Sequence, residues 1–250
     1  MRHEEIERFY KHHYFTSHRD IGGIKKLVGD VAVIVYFVND SESAWTEFAK
    51  RKFKETNRAA LQLIVRTARS RGVDLKMRIS YREASATGIC TPHNYYLWSK
   101  DIVAKGGIPN IPAYQQKYEA VNRCTEVPIL FVLNKDFRSG AVAVDWEARM
   151  QGEMSIISSK AGKHTIVHEL LHQFGAMDLY YPKEVDDLIR NMRYESVMST
   201  ADSLYIDSLT SYLIGWTDEI DVAAEQILER TKHLTKEYMY NAIRIEHEKG

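Results

Sequence analysis

The chain has little cysteine, no net charge and no long hydrophobic run, and each of these features excludes a class of protein. Only 2 of its 250 residues are cysteine, Cys90 and Cys124. Two are too few for a disulfide framework, so free thiols are the simpler expectation. Lys plus Arg and Asp plus Glu both number 34, which gives no electrostatic reason to expect a nucleic acid or an anionic membrane as a partner. The most apolar run, Val31 to Val38, is far too short to span a bilayer.

The first residues, Met1 to Lys11, also lack the apolar core of a signal peptide. As written, the sequence therefore predicts a cytoplasmic protein, and secretion would require a missing leader or a non-standard export route. A hydrophobic content of 44% and a charged content of 27% are those of an ordinary globular protein with one principal domain. The sequence does not indicate an oligomeric state.

The most informative stretch reads HELLHQFGAMD, from His168 to Asp178, and fits the pattern HExxHxxGxxD. On a helix, His168 and His172 lie one turn apart on the same face, so both imidazoles can reach one metal ion. Glu169 is placed beside them to take a proton from a bound water. Gly175 allows the helix to stop sharply, because glycine tolerates the left-handed conformation. The chain can then bring Asp178 back as a third ligand.

Two nitrogens and one oxygen leave the fourth position of a tetrahedral zinc ion open for water, which is typical of a catalytic site. Zinc in this position would lower the pKa of the water toward about 7 and polarise a carbonyl, with Glu169 as general base and then general acid. His164 lies one turn before His168. At about 1.5 Å per residue it is about 12 Å from His172 along the helix axis, so one ion cannot hold all three histidines.

At the motif the sequence resembles the metzincin clan of zinc metallopeptidases, whose pattern is HExxHxxGxxH or, in a minority, ends in Asp. Asp178 is similar to the third ligand of the snapalysin-type branch. The clan also has a Met-turn, a tight turn that holds a methionine beneath the metal, and the run SVMST around Met198 resembles it. The resemblance implies a zinc-dependent endopeptidase that acts on a peptide or protein substrate.

The chain also departs from the clan. Some metzincin families carry a tyrosine two residues after the methionine, where it binds zinc or steadies the transition state, but this chain has Thr200 there. Tyr205, slightly further on, is a possible transition-state helper, although a buried core position would also explain it. The resemblance further implies that the substrate pocket is walled by the loop from about Tyr180 to Thr200.

Hydrophobic patterning predicts a strand, a helix, four more strands and then the zinc helix. The strands fall at residues 31–38, 75–81, 128–133, 138–146 and 154–157, and a long amphipathic helix covers residues 45–68. This order resembles the metzincin N-terminal subdomain. It implies a mixed α/β (α+β) fold with a twisted, mostly parallel five-stranded sheet, an antiparallel edge strand, two long helices and a small helical C-terminal subdomain. In that fold the edge strand, here Gly140 to Trp146, binds extended substrate by strand addition.

The predicted domain organisation has three parts. Residues 1–29 form an N-terminal helical extension, residues 30–217 the catalytic domain and residues 218–250 a C-terminal helix. The upper subdomain ends at Gly175 and the lower one begins at Ala176. Residues 84–126 form a long, turn-rich insertion with no element assigned.

Two alternatives remain open at this point. In gluzincin-type peptidases the third ligand is a glutamate well downstream of HExxH, and Glu195 could serve, with Glu184 and Asp186 as weaker candidates. A zinc-binding interaction module without catalysis is the rival from another class. Such a module would not need the catalytic glutamate, yet Glu169 is present.

Overall fold

A five-stranded sheet forms the centre of the protein, in a computed structural model that describes residues 13–16, 19, 23–142, 152–199, 203–235 and 238. The strands are β1 (Gly29–Asn39), β2 (Leu75–Ser85), β3 (Ile129–Leu133), β4 (Gly140–Val142) and β5 (Met154–Ser158). Their order across the sheet is β2-β1-β3-β5-β4, and every neighbouring pair is parallel except β4 with β5. This confirms the predicted mixed α/β class, with a mostly parallel sheet and an antiparallel edge strand.

Seven α-helices lie in the described residues. They are α1 (Glu47–Ser70), α2 (Tyr95–Ala104), α3 (Ile111–Asn122), α4 (Lys163–His172), α5 (Lys183–Met192), α6 (Ser208–Leu213) and α7 (Val222–Arg230). Helix α1 has 24 residues and begins where the Thr46 hydroxyl accepts the Ala49 N–H. Helix α4, the second of the two helices expected to be long, has 10 residues. Among these helices, none has both the length and the apolar content that crossing a membrane requires.

Strand β1 is buried on both faces, as its unbroken apolar run predicts. Val31, Val33, Val35 and Phe37 pack in one hydrophobic cluster with α1 and α4. The alternate residues of the strand pack in a second cluster with α2 and α3. The sheet is therefore the middle layer of three, and α4 lies against one of its faces.

Helices α2 and α3 both fall within the stretch for which the sequence predicted a turn-rich insertion, so that prediction was incomplete. Their buried faces include polar residues, which interrupt the apolar repeat of a helix. Gln115 is one of them, and its amide nitrogen donates to the carbonyls of Val127 and Glu153 at 3.1 Å each. Burial of an amide is tolerated here because both hydrogen bonds are made.

The chain ends differ from the predicted helices where the structure describes them. Helix α7 ends at Arg230, and Thr235 then forms an antiparallel β-bridge with His13. Phe15 and Leu27, from the predicted extension, are fully buried in the main core. Residues 1–12 of the predicted helical extension lie outside the described residues, as do residues 239–250 of the predicted C-terminal helix and residues 143–146 of the predicted edge strand.

A buried hydrogen-bond network fixes α4 on the sheet. The Gln173 side chain, fully buried, donates to the Ile129 carbonyl at 3.1 Å and the Ser155 hydroxyl at 2.7 Å, and accepts the Ile129 N–H at 3.1 Å. The Ser155 hydroxyl in turn donates to the backbone carbonyl of Glu169 at 2.8 Å. The network therefore ties the end of α4 to β3 and its middle to β5.

Replacing Gln173 with Leu should destabilise the protein by about 2–4 kcal/mol, because the N–H and the carbonyl of Ile129 would stay buried without partners. Urea unfolding measures the change. Gln116→Leu is the matched control, since Gln116 is exposed on α3 and its change should stay within about 0.5 kcal/mol. Equal effects of the two substitutions would show that the network does not fix α4.

Candidate metal centre

Helix α4 presents its two histidines from a rigid, buried support. Leu170 and Leu171 are fully buried behind the histidines, and His168 and His172 are only 5% and 7% exposed. The two side chains lie on one face, with their Nε2 atoms 3.1 Å apart. The i, i+4 spacing in the sequence thus places both rings at one point.

Backbone carbonyls determine which nitrogen of each ring carries hydrogen. The Nδ1–H of His168 donates to the Val197 carbonyl at 2.9 Å, and the Nδ1–H of His172 donates to the Ala176 carbonyl at 2.7 Å. Because a carbonyl can only accept, hydrogen must lie on Nδ1 of each ring. A neutral ring in this tautomer presents the lone pair of Nε2, the arrangement found in metal-binding histidines.

The chain leaves α4 through a glycine and returns a carboxylate to the same point. Gly175 has φ +92°, a region that favours glycine, and its N–H donates to the His172 carbonyl at 3.0 Å. The reversal brings Asp178 Oδ1 to 3.0 Å from His168 Nε2 and 3.2 Å from His172 Nε2. Two helix residues and one loop residue therefore meet at one position.

These three atoms fit a zinc-sized ion. They form a nearly equilateral triangle with sides of 3.0, 3.1 and 3.2 Å. Tetrahedral zinc with bonds of about 2.0–2.1 Å separates its ligand atoms by about 3.3–3.4 Å. Asp178 Oδ1 is buried, and apart from the two Nε2 atoms no described group offers it a hydrogen bond. Two lone pairs and a carboxylate oxygen at this distance repel one another unless a proton or a cation lies among them.

In the metal-free protein a proton can lie among the two Nε2 atoms and Asp178 Oδ1. Burial alone would lower the pKa of His172, but the charge and hydrogen bond of Asp178 outweigh burial and raise it to about 9. Burial would likewise raise the pKa of Asp178, but the two imidazoles hold it well below its usual range. The carboxylate of Asp178 therefore stays ionised and attracts positive charge.

Two carboxylates, those of Asp178 and Glu169, are near enough to the histidines to be the third ligand. Ligand atoms of His168, His172 and Glu169 lie within 4.8 Å of one another, so Glu169 could also reach a shared ion. Asp178 lies much closer to both nitrogens. Glu169 is 7% exposed and lines the neighbouring cleft, and burial raises the pKa of its carboxyl against the opposing charges of His172 and His168. This environment suits a group that exchanges a proton.

A tight turn at Val197–Met198 supports the site from below. Besides the carbonyl of Val197 that orients His168, the carbonyl of Met198 accepts the N–H of Leu179 at 2.8 Å, next to Asp178. The Met198 side chain is fully buried. The turn thus holds one histidine and the segment that carries the carboxylate, while Thr200 lies outside the described residues.

Asp207 fixes this turn, a role that the sequence analysis did not identify. Its carboxylate accepts the hydroxyls of Ser196 at 2.5 Å and Tyr194 at 2.8 Å, and Ser196 Oγ accepts the Met198 N–H at 2.9 Å. Asp207 also caps α6, where it accepts the N–H of Thr210 at 2.9 Å. As an N-cap it could have been predicted from sequence, but its bonds to the turn are tertiary contacts.

A cleft of about 630 Å³ opens beside the site. Its described walls come mostly from residues 136–139, before β4, and from residues 158–169, which run from the end of β5 into α4. The loop from Tyr180 to Thr200, expected to wall the substrate pocket, contributes Tyr180 and Ser199 among its described residues, 180–199. Residues 183–192 of this loop form α5, whose Val185 and Ile189 are buried in the core.

The other sequence-derived candidates lie in different surroundings. Tyr205 is 52% exposed and does not line the cleft; the guanidinium of Arg71 lies 6.0 Å from its ring. Glu195 is exposed and accepts the Ser203 hydroxyl at 2.7 Å. His164 lines the cleft, with its ring 5.8 Å from that of His168. Cys90 is buried and Cys124 half-buried, and both are free thiols in this structure.

Comparisons with known proteins add little to this geometry. No family model matches the chain, and no curated protein matches it. One solved structure, described as metalloproteinase-II from Bacteroides fragilis, aligns at 9% identity and a TM-score of 0.37. The alignment covers 77% of this chain and 57% of that one, so the chain spans little more than half the length of the matched protein. A likeness this weak carries no conclusion, and the geometry of the site stands by itself.

Alanine substitution of Asp178 and of Glu195, the two candidates for the third ligand that the sequence offers, tests which of them binds the metal. Asp178→Ala should weaken zinc affinity by more than about 100-fold, because loss of a direct ligand costs more than the loss of a supporting group. Glu195→Ala should leave the affinity unchanged. Competition with a chromogenic chelator measures both. The opposite ranking would favour the gluzincin arrangement.

The metal-free protein should lose stability as pH rises through the neutral range. The pKa of His172 is about 9 in the folded chain against an ordinary value of 6.5. Its contribution is therefore complete below about pH 6.5 and disappears as pH approaches 9. In chelator-treated samples, the melting temperature of the wild type should fall relative to that of His172→Gln over this interval. A constant difference between the two proteins would contradict the shift.

Proposed function

We propose that this chain is a zinc-dependent endopeptidase of the metzincin type, with His168, His172 and Asp178 as the ligands of one catalytic zinc ion. The observation that carries the proposal is the convergence of Asp178 Oδ1 and the two Nε2 atoms, with sides of 3.0–3.2 Å. Two neutral imidazoles and one carboxylate form a three-ligand set that is typical of catalytic zinc. Such a set leaves room for water and substrate.

Zinc bound there would supply a Lewis acid for the scissile carbonyl and would make the attacking water more acidic. Glu169, which lines the cleft, is the general base: its carboxylate accepts the proton of the water and then delivers it to the leaving amine. Burial raises the pKa of Glu169, which makes its protonated form accessible during the cycle. Asp178, with its lowered pKa, remains a charged ligand.

We further propose that the turn at Val197–Met198 is the Met-turn and that residues 30–217 form the catalytic domain. Substrate would bind as an extended strand beside β4, one of the two outer strands of the described sheet. Two facts support this position. Ser139, immediately before β4, lines the cleft, and so does Glu169. A peptide at this edge would therefore have its backbone next to the proton-transferring carboxylate.

The rivals fit the observations less well. In a gluzincin arrangement Glu195 would ligate the metal, but it is exposed and bonded to Ser203. A non-catalytic zinc-binding module would need only the three ligands. Such a module gives no reason for a glutamate that lines the cleft and whose pKa is raised by burial.

Glu169→Gln should lower kcat/KM for peptide cleavage by about 10²–10⁴-fold, because the amide cannot accept the proton of the water. A proteome-derived peptide library digested by zinc-loaded protein provides the assay and shows the side-chain preference of the enzyme. Zinc affinity should stay within a few-fold of the wild type. This separates loss of the base from loss of the metal.

Chelator treatment and Glu195→Ala are the controls for that assay. The chelator should abolish cleavage, and Glu195→Ala should leave it intact. Cleavage by Glu169→Gln at the wild-type rate would exclude Glu169 as the base. Protein that holds zinc but cleaves no peptide would contradict the broad peptidase proposal.

A further inference from the structure

The segment before β4 carries an arginine to the cleft on a firmly anchored backbone. Arg138, which lines the cleft, lies between two anchored residues, Lys135 and Ser139. The ammonium of Lys135 pairs with the buried carboxylate of Asp40 at 2.5 Å. At the other end of the segment, the Ser139 hydroxyl accepts the Ser158 N–H at 3.0 Å. Both ends of the segment are therefore held, which limits how far the backbone of Arg138 can move.

The guanidinium of Arg138 is itself held by an uncharged partner. Its Nη2 donates to the Tyr180 hydroxyl at 3.2 Å, and its carbon lies 5.7 Å from the centroid of the Tyr180 ring. That ring stacks on the ring of His168, with centroids 5.9 Å apart and planes inclined by 18°. The phenol thus keeps the guanidinium beside the candidate metal centre without neutralising its charge.

A lysine adds a second positive charge from the wall formed by residues 158–169. Lys160 lines the cleft between the end of β5 and the start of α4. Its N–H donates to the Ser158 hydroxyl at 3.1 Å, and that hydroxyl donates to the Lys135 carbonyl at 2.8 Å. Ser158 therefore links the two walls, so that Arg138 and Lys160 belong to one supported surface.

These two positive charges are not paired within the part of the chain that the structure describes. Neither Arg138 nor Lys160 forms an ion pair with a carboxylate there. The described carboxylates that line the cleft are those of Asp136 and Glu169, and Glu169 already has the proposed part in proton transfer. A guanidinium has five N–H donors, so with one donated to the phenol the others can bind a carboxylate.

We propose that Arg138 is a specificity-determining residue that selects substrates with an acidic side chain beside the scissile bond, and that Lys160 adds to the selection. The inference rests on the proposed function, because it takes the substrate to be a peptide bound next to Glu169. A substrate carboxylate would gain charge-assisted hydrogen bonds from a guanidinium that is already held in place, so little side-chain freedom is lost on binding. A basic substrate side chain would be repelled by the same groups.

Paired peptides that are blocked at both ends test the selection, because a carboxylate can then come only from a side chain. Each pair has a sequence that the zinc-loaded protein cleaves and carries glutamate or glutamine at one position beside the scissile bond. On one side of that bond, we expect kcat/KM to be about 10-fold higher for the glutamate peptide, a gain between that of an exposed and that of an enclosed charged hydrogen bond.

Substitutions in the cleft should change this ratio in opposite directions. Arg138→Gln should reduce it to about 1–3, and Lys160→Gln should reduce it less. Asp136→Asn removes an opposing charge and should increase the ratio by about 2-fold. Arg51→Gln is the matched control, because Arg51 is exposed on α1 and does not line the cleft, so the ratio should keep its wild-type value.

Peptide binding gives a second readout that does not require activity. In chelator-treated protein, fluorescence anisotropy should show tighter binding of the glutamate peptide by the wild type and equal binding of both peptides by Arg138→Gln. Thermal unfolding checks the fold of each variant. If Arg138→Gln does not fold, the opposite changes expected for Lys160→Gln and Asp136→Asn keep the test decisive.

The possible outcomes separate this inference from the proposed function. Equal cleavage and equal binding of the paired peptides by the wild type would overturn the inference and leave the peptidase standing. An unchanged ratio in folded Arg138→Gln would do the same. Preferential binding of the glutamate peptide, without cleavage of any peptide by zinc-loaded protein, would overturn the proposed function and still support a carboxylate site at Arg138.

Discussion

The site depends on two hydrogen bonds from imidazole Nδ1 to backbone carbonyls. They place the hydrogen of each ring on the side away from the cleft and direct both Nε2 lone pairs to one point. One carbonyl belongs to Ala176, at the reversal after α4, and the other to Val197, in the turn beneath the site. The end of α4, Asp178 and the turn at Val197–Met198 must therefore keep fixed positions relative to one another.

The surroundings of the two carboxylates of the site, Asp178 and Glu169, shift their pKa values in opposite directions. Asp178 lies next to two imidazoles, which hold its pKa well below the usual range. Glu169 is buried among neighbours whose charges only partly offset the cost of burial, so its pKa is raised. Such a divergence is what separates a metal ligand from a proton carrier. It gives a physical reason to assign Asp178 to the metal and Glu169 to the proton.

Local features of the fold and site could be read from the sequence. The unbroken apolar run of β1 and the i, i+4 histidines of α4 are short-range patterns. The run predicts a strand that is buried on both faces, and the histidine spacing predicts two side chains on one face of a helix. Helices α2 and α3 were missed because buried polar residues such as Gln115 interrupt their apolar repeat. Asp207 was not identified as the support of the turn because the groups that it binds there, the hydroxyls of Tyr194 and Ser196, lie 13 and 11 residues away in the sequence.

The central claim is that one zinc ion is held by His168, His172 and Asp178. A crystal structure of the zinc-loaded protein, with anomalous diffraction recorded on both sides of the zinc absorption edge, tests it directly. We predict one strong anomalous peak about 2.0–2.1 Å from both Nε2 atoms and from Asp178 Oδ1. A peak bound by Glu195 instead of Asp178, or no peak between the two histidines in protein that contains zinc, would contradict the account.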